Sequence, residues 1–109
     1  MSYIPGKGDI VSLDFDPSSG QEIMKRRPAL VISREQFNEH TGFAIVAPIT
    51  STQRGMALEV ELTGTSIQGV VLVHQLRSLD VESRKIAFIE RAPVSVVQRA
   101  TELAVAIIR

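Results

Sequence analysis

Three consecutive basic residues, Lys25, Arg26 and Arg27, lie shortly after Glu22 and directly before Pro28. Proline disfavours the helical conformation of the residue before it, so Arg27 is expected to be extended and anchored at the edge of a strand. A guanidinium held there keeps its charge and can donate two hydrogen bonds to phosphate oxygens. This pattern suits a phosphodiester ligand, although a short run of charge is also typical of a solvated loop.

A second group of polar residues, Thr50, Ser51 and Thr52, directly follows the apolar stretch IVAPI. Clustered hydroxyls at the end of a strand can donate hydrogen bonds to a phosphate or a developing oxyanion. Serine and threonine also commonly terminate strands, which is the simpler interpretation of this cluster. The three hydroxyls therefore stay candidates until their position relative to the basic run is known.

His74 lies inside the apolar stretch VVLVHQLRS, which is typical of a strand. Histidine is the side chain whose ordinary pKa lies nearest neutral pH, so His74 is a candidate proton acceptor, with a core or edge histidine as the alternative. His40, the other histidine, lies in a polar segment without the paired spacing of a zinc site, and no metal is expected. Phosphate-binding glycine motifs and the G-x-S-x-G motif are absent, so no nucleotide cofactor is expected.

Composition limits the class of protein further. The chain has 109 residues, 44% of them hydrophobic and 22% charged, which favours one soluble globular domain. Twelve Lys and Arg balance twelve Asp and Glu, so any nucleic-acid ligand requires basic charge that is local rather than overall. There is no cysteine, and the N-terminus does not read as a signal peptide, so we expect a cytoplasmic protein.

Most segments have the character of strands separated by turns, as in a small all-β barrel or sandwich. DIVSLDFD alternates polar and apolar residues, which predicts a strand with one apolar and one polar face. LEVEL alternates in the same way and predicts a half-exposed strand at a sheet edge or on an outer face. ALVIS and FAIVAPI predict strands buried on both faces, separated by the polar excursion EQFNEHTG. GVVLVHQLRSLD predicts one long central strand, and RKIAFIER another strand after it.

Helical spacing occurs in PVSVVQRATELAVAIIR. Its apolar residues fall on a single stripe, formed by Val96, Val97, Ala100, Leu103, Ala104, Ile107 and Ile108. Either a capping box of Ser95 with Gln98 or Pro93 as the first helical residue would start this helix. One helix is therefore expected to pack on a β core.

Taken in order, GDIVSLDFDPSSGQE, RRPALVIS, APIT, GVVLVHQLRSLD and the terminal helix resemble the MazF/PemK family of toxin endoribonucleases. The resemblance covers essentially the whole chain and implies one MazF-like domain over residues 1–109. It implies a mainly β fold with a C-terminal α-helix, an SH3-like β-barrel of the MazF/PemK/CcdB type, and a homodimer. It further implies metal-independent cleavage of single-stranded RNA, and a MazE-like antitoxin that occupies the RNA groove.

The resemblance also implies roles for individual residues. Arg27 matches the family's catalytic arginine, Thr50 the threonine that stabilises the scissile phosphate, and Glu22 a loop glutamate implicated in activity. The implied reaction is attack of the ribose 2′-hydroxyl on phosphorus, leaving 2′,3′-cyclic phosphate and 5′-hydroxyl ends. The residues expected to contact RNA lie in the same loops and strand ends: Lys25, Arg26, Ser51, Thr52 and Gln75.

The sequence departs from the family pattern beside the central-strand Gln75. His74 stands where many members have a carboxylate, and Leu72 where one subgroup has arginine, so the acid and base roles of that subgroup do not carry over. His74 is therefore a candidate base. Lys25 also replaces a glycine of the loop, and Ile23 a glutamine, which makes this loop stiffer and more basic.

A non-catalytic binding module of the same fold is the rival interpretation. It would be either a gyrase-poisoning toxin or a homologue that sequesters an antitoxin, since one fold hosts several functions. Gyrase poisons of this fold depend on an aromatic C-terminal end, whereas this chain ends in AVAIIR. The pairing of Arg27 with Thr50, which a gyrase binder does not need, favours the ribonuclease.

Overall fold

The computed structural model describes residues 3–23 and 25–109. Its elements, in chain order, are β1 Asp9–Asp14, β2 Arg26–Val31, α1 Glu35–Thr41, β3 Phe43–Thr50, β4 Glu59–Glu61, β5 Val70–Leu72, a 3₁₀ turn Val73–Gln75, β6 Arg77–Asp80, β7 Ala87–Arg91 and α2 Val94–Ile108. The strands pair antiparallel in the order β4-β5-β3-β2-β1-β7, and β6 pairs with β3. This confirms the mainly β, barrel-like fold with a C-terminal helix, although the sheet is not closed.

Two apolar clusters fill the two faces of the sheet. On β1, Ile10 belongs to the cluster beneath α2, whereas Val11, Leu13 and, directly after the strand, Phe15 belong to the second cluster. This division follows from the alternation of side chains along a strand. Each of these four residues is fully buried, and burying one such side chain stabilises the fold by about 1.5–3 kcal/mol.

Predictions about the individual strands are largely confirmed. Residues 29–32 of the ALVIS segment are buried, as are residue 44 and residues 46–49 of the FAIVAPI segment. β4 ends the strand order, with Val60 buried and Glu61 exposed, as the alternation in LEVEL predicts. β3 is the longest strand and pairs with β2, β5 and β6, so it organises the sheet.

The expectation of a single helix is wrong, because EQFNEHTG, expected as a polar excursion between two strands, forms α1. Asn38 on this helix is 2% exposed, and its side-chain Nδ2 donates to the carbonyls of Pro5 at 2.8 Å and Ser33 at 3.2 Å. The helix ends at Gly42, whose φ of 75° is the left-handed conformation that glycine adopts readily. A buried amide rather than an apolar stripe anchors α1, so hydrophobic periodicity does not reveal it.

The prediction of one unbroken strand in GVVLVHQLRSLD is also wrong. β5 pairs Val71 with Ile49 of β3, whereas β6 pairs Arg77 with Val46. From the first pair to the second, the paired position on β3 shifts by three residues, whereas the paired position on the GVVLVHQLRSLD segment shifts by six. The 3₁₀ turn at residues 73–75 accommodates the three extra residues. His74 therefore lies on an exposed turn and not on a strand.

Neither expected start of the C-terminal helix is correct. Pro93 precedes the first helical residue, and no side-chain capping hydrogen bond is formed, so the capping box of Ser95 is absent. The apolar stripe packs on the sheet near its beginning and middle, but Ile107 and Ile108 are 46% and 74% exposed. Neither helix within residues 3–23 and 25–109 has the length and hydrophobicity needed to cross a bilayer.

A buried carboxylate joins the N-terminal segment to the sheet. Asp9 is 5% exposed and forms an ion pair with Arg91 at 2.9 Å. It also accepts hydrogen bonds from the backbone amide of Gly6 at 2.9 Å and from the hydroxyl of Tyr3. Burial and the adjacent Asp9 carboxylate both raise the pKa of Tyr3 above its ordinary value, so the hydroxyl remains a donor at neutral pH.

Candidate active site

The register of the sheet relates Arg27 to Thr50. β2 and β3 pair antiparallel, with Ala29 opposite Pro48. This is the last pair between the two strands on this side, and Arg27 near the start of β2 and Thr50 at the end of β3 each lie two residues beyond it. The catalytic arginine and threonine implied by the resemblance thus lie at the corresponding ends of neighbouring strands.

Beside Thr50 is a small pocket of about 40 Å³. The pocket is lined by Gln21, Ile23, Thr50, Thr52, Arg54, Met56, Glu59, Leu72, His74 and Gln75. It contains four of the sequence-predicted site residues, from the end of β3, the 3₁₀ turn and the segment between β3 and β4. His74 therefore lines the pocket, although it lies on a turn and not on the predicted strand.

Thr50 is held so that its hydroxyl hydrogen remains available. The side chain is 9% exposed, and its Oγ1 accepts a hydrogen bond from the backbone amide of Thr52 at 3.2 Å. A hydroxyl has one hydrogen and two acceptor sites, so accepting this bond leaves the hydrogen free to be donated into the pocket. The arrangement suits stabilisation of a phosphoryl oxygen.

Gly69 makes the closest backbone approach to Thr50. Its φ is 142°, a conformation that residues with a side chain rarely adopt. A Cβ atom at this position would lie 2.3 Å from the carbonyl oxygen of Thr50, well inside van der Waals contact. The end of β3 can therefore keep its position only with glycine here.

Gln75 ties the β1–β2 loop to the pocket. Its side-chain Oε1 accepts from the amide of Ile23 at 2.9 Å, and its Nε2 donates to the carbonyl of Gln21 at 3.4 Å. Glu22, on the same loop, is exposed, and its carboxylate accepts from the amide of Ser19 at 2.8 Å. Gln75 thus positions the loop that carries Glu22, in addition to lining the pocket.

The three consecutive cations do not point the same way. Arg26 is paired with Asp14 across the β1–β2 ladder, and its guanidinium forms an ion pair with the Asp14 carboxylate at 3.3 Å. It also donates to the carbonyl of Lys85 at 2.8 Å, on the sheet face opposite to that of Arg27. Lys25 is exposed and has a φ of 68°, in the left-handed region that favours glycine.

The remaining predicted contacts lie outside the pocket. Ser51 lines a separate cavity of about 470 Å³ beside the β4–β5 hairpin. Two charged pocket residues, Arg54 and Glu59, were not predicted from the sequence. The TSTQR pattern, in which a cation follows four residues after the hydroxyl cluster begins, was the available signal for the first. Nothing in the alternation of LEVEL distinguishes Glu59 from Glu61.

A larger cavity of about 460 Å³ lies at the far end of β3, around Gly42. Its charged lining residues are mostly acidic, namely Glu39, Asp80 and Glu82, with Lys85 as the base. Hydrogen bonds from the backbone of Ser83 and Glu82 lower the pKa of Asp80, which keeps that carboxylate ionised. This charge disfavours a phosphodiester, so the smaller pocket beside Thr50 is the better candidate site for such a ligand. No group of three histidine or acidic side chains suited to a metal ion occurs in the described part of the chain.

A barrel-like antiparallel sheet with a C-terminal helix, and with Thr50 and His74 at one pocket, agrees with the class of small toxins that the sequence resembles. Residues 6–107 match the family model for the PemK-like, MazF-like toxin of type II toxin-antitoxin systems, and the chain belongs to this family. It is 38% identical over 82 residues to the endoribonuclease toxin MazF of Escherichia coli (strain K12), covering 75% of this chain and 74% of that protein. The endoribonuclease toxin ChpB of the same organism is 39% identical over 100 residues, covering 86% and 85% of the two chains.

Solved structures agree with this assignment. The crystal structure of MazF from Deinococcus radiodurans superposes with a TM-score of 0.92 at 36% identity, covering 98% of both chains. A MazE-MazF structure from the same organism gives a TM-score of 0.86 at 36% identity, covering 98% of this chain and 97% of that chain.

Proposed function

We propose that this protein is the endoribonuclease toxin of a type II toxin-antitoxin pair and cleaves single-stranded RNA in the cytoplasm. The observation that carries the proposal is the pocket lined by Thr50 and His74, which lies at the end of β3 that adjoins the start of β2, where Arg27 is found. Family membership and the two endoribonuclease toxins of Escherichia coli support the same activity. A gyrase binder has no need of this arrangement.

In the proposed reaction the ribose 2′-hydroxyl attacks the adjacent phosphorus, and the bond from phosphorus to the 5′-oxygen of the next nucleotide breaks as that oxygen takes up a proton from water. The products are a 2′,3′-cyclic phosphate and a 5′-hydroxyl, and no metal ion takes part. Arg27 neutralises charge on the phosphoryl oxygens, and Thr50 donates its free hydroxyl hydrogen to one of them. His74 accepts the proton of the 2′-hydroxyl, because its imidazole is exposed at the pocket and a neutral imidazole has one nitrogen that can accept a proton.

A homodimer and a MazE-like antitoxin complete the proposal. The end of α2 leaves Val105, Ile107 and Ile108 at least 46% exposed, and a second copy of the chain would remove such apolar surface from water. The MazE-MazF structures of the Deinococcus radiodurans relatives support an antitoxin partner. Two-fold symmetry would bring the cationic loops of both copies to one surface, which lets a chain of zero net charge bind RNA.

The test is incubation of a long RNA with the pure protein in EDTA, followed by a denaturing gel and mapping of the product ends. We expect discrete fragments with 2′,3′-cyclic phosphate ends from the wild type, and loss of cleavage by at least about 100-fold in Arg27→Ala, as when a key transition-state donor is removed.

Arg26→Ala is the matched comparison. It removes the same charge one residue away, but from a side chain that is bonded to Asp14 and Lys85 on the other face, so its cost should be much smaller. Equal losses in the two variants would argue for non-specific charge rather than a catalytic arginine. Intact RNA from a folded wild-type dimer would instead favour the non-catalytic binding module.

A further inference from the structure

The segment between β3 and β4, residues 51–58, forms one wall of the pocket and is exposed over residues 51–57. We call it the β3–β4 loop. It contributes Thr52, Arg54 and Met56 to the pocket lining, yet it contains no helix or strand. A loop of this kind needs specific bonds to keep a single conformation, because ordering each residue costs about 1–2 kcal/mol of conformational entropy.

The carboxylate of Glu59 supplies such bonds to the middle of the loop. The backbone amide of Arg54 lies 3.2 Å from both Oε1 and Oε2, and the amide of Gly55 lies 3.1 Å from Oε1. Hydrogen bonds from amides to an ionised carboxylate are roughly twice as strong as neutral ones. Glu59 itself is fixed on β4, where it pairs with Leu72 of β5.

The position of this acid is otherwise unexpected. A carboxylate beside the proposed phosphodiester site repels the substrate, and the repulsion is not negligible near a protein surface. The two amides directed at it offset part of its charge, which makes a structural role for the acid compatible with an anionic ligand nearby. Arg54 lies on the same loop. By holding this loop, the Glu59 carboxylate also keeps the Arg54 guanidinium beside the pocket.

We propose that Glu59 is a positioning residue that holds the β3–β4 loop in its RNA-binding conformation and so contributes to the choice of cleavage site. This inference rests on the proposed ribonuclease activity. When the loop is released, only part of the population is ready to bind, and the apparent affinity falls by that fraction. Chemistry on RNA that is already bound is unaffected.

The test uses Glu59→Gln, with Glu61→Gln as the matched control on the same face of β4. We expect Glu59→Gln to raise KM about tenfold with kcat within about twofold of the wild type, and to broaden the set of sites cut in a long RNA. Glu61→Gln should leave both constants and the sites unchanged. A lower KM would mean that Glu59 merely repels RNA, and a lower kcat at unchanged KM would indicate a catalytic or folding defect; either result overturns the proposal.

Amide hydrogen exchange gives a readout that does not depend on RNA. The exchange of the Arg54 and Gly55 amides should be about tenfold faster in Glu59→Gln than in the wild type, and unchanged in Glu61→Gln. Unchanged exchange in Glu59→Gln would refute loop holding even if KM rises. If the wild type cleaves no RNA, the proposed function fails, and the exchange measurement still decides whether Glu59 holds the loop.

Discussion

Replacing Thr50 by valine separates the chemistry of its hydroxyl from its place in the fold. Valine has nearly the same shape, so the change removes the bond that Oγ1 accepts from Thr52 and the donor that we assign to the phosphate. The first loss costs stability by about 0.5–1.5 kcal/mol, the net value of one neutral hydrogen bond. The second should lower kcat about 10²–10³-fold, as for removal of one oxyanion-hole donor.

The assay is single-turnover cleavage of a short RNA that contains one cut site, beside thermal unfolding of the same samples. For a domain of about 100 residues, 1 kcal/mol lowers Tm by roughly 4–8 °C, so Thr50→Val remains folded at 25 °C while its activity collapses. Thr50→Ser keeps the hydroxyl and should retain most of the rate. Cleavage by Thr50→Val within tenfold of the wild type, or a serine variant as slow as the valine variant, would refute the assigned role.

Three further changes test other parts of the structure. Lys25→Gly should relieve about 1–2 kcal/mol of left-handed backbone strain, partly offset by the larger conformational entropy that glycine loses on folding, and chemical denaturation measures the net change. The same change should make RNA binding less dependent on salt, which a salt titration measures. An unchanged slope of affinity against salt would exclude Lys25 from phosphate contact. Gln75→Leu leaves the Ile23 amide without its acceptor, so exchange of that amide should accelerate by about tenfold, and an unaltered rate would show that the β1–β2 loop is held by other contacts. Asp9→Ala should cost about 2–3 kcal/mol, less than for a fully buried pair because Arg91 is largely exposed; a Tm within about 2 °C of the wild type would contradict the network.

The sequence predicts the strands of this fold well and its interruptions poorly. Alternating or continuous apolar residues predict β1 to β4, because burial of those side chains stabilises these strands. The short helix α1 depends on the buried amide of Asn38, and the break at His74 depends on a register change against β3. Both are properties of the assembled sheet, so no local pattern announces them.

The candidate site likewise combines features that the local sequence predicts with features that depend on the assembled sheet. Arg27 and Thr50 could be singled out because the residues around them, a proline and a strand end, restrict their positions. The face on which each neighbouring cation lies is set by pairing, and this is why Arg26 and Arg27 look alike in sequence but lie on opposite sides of β2. Glu59 and Glu61 are likewise equivalent in the alternating pattern, and the contacts of the β3–β4 loop distinguish them.

The tight approach of Gly69 to the carbonyl of Thr50 has a consequence for substitution screens. Any other residue at this position must displace the end of β3, and with it the hydroxyl at the pocket. A screen that selects for loss of toxicity would therefore recover Gly69 variants as readily as variants of the arginine and threonine, even in protein that is abundant and dimeric. A map of intolerant positions in this protein would thus include a residue that has no side chain with which to act on RNA.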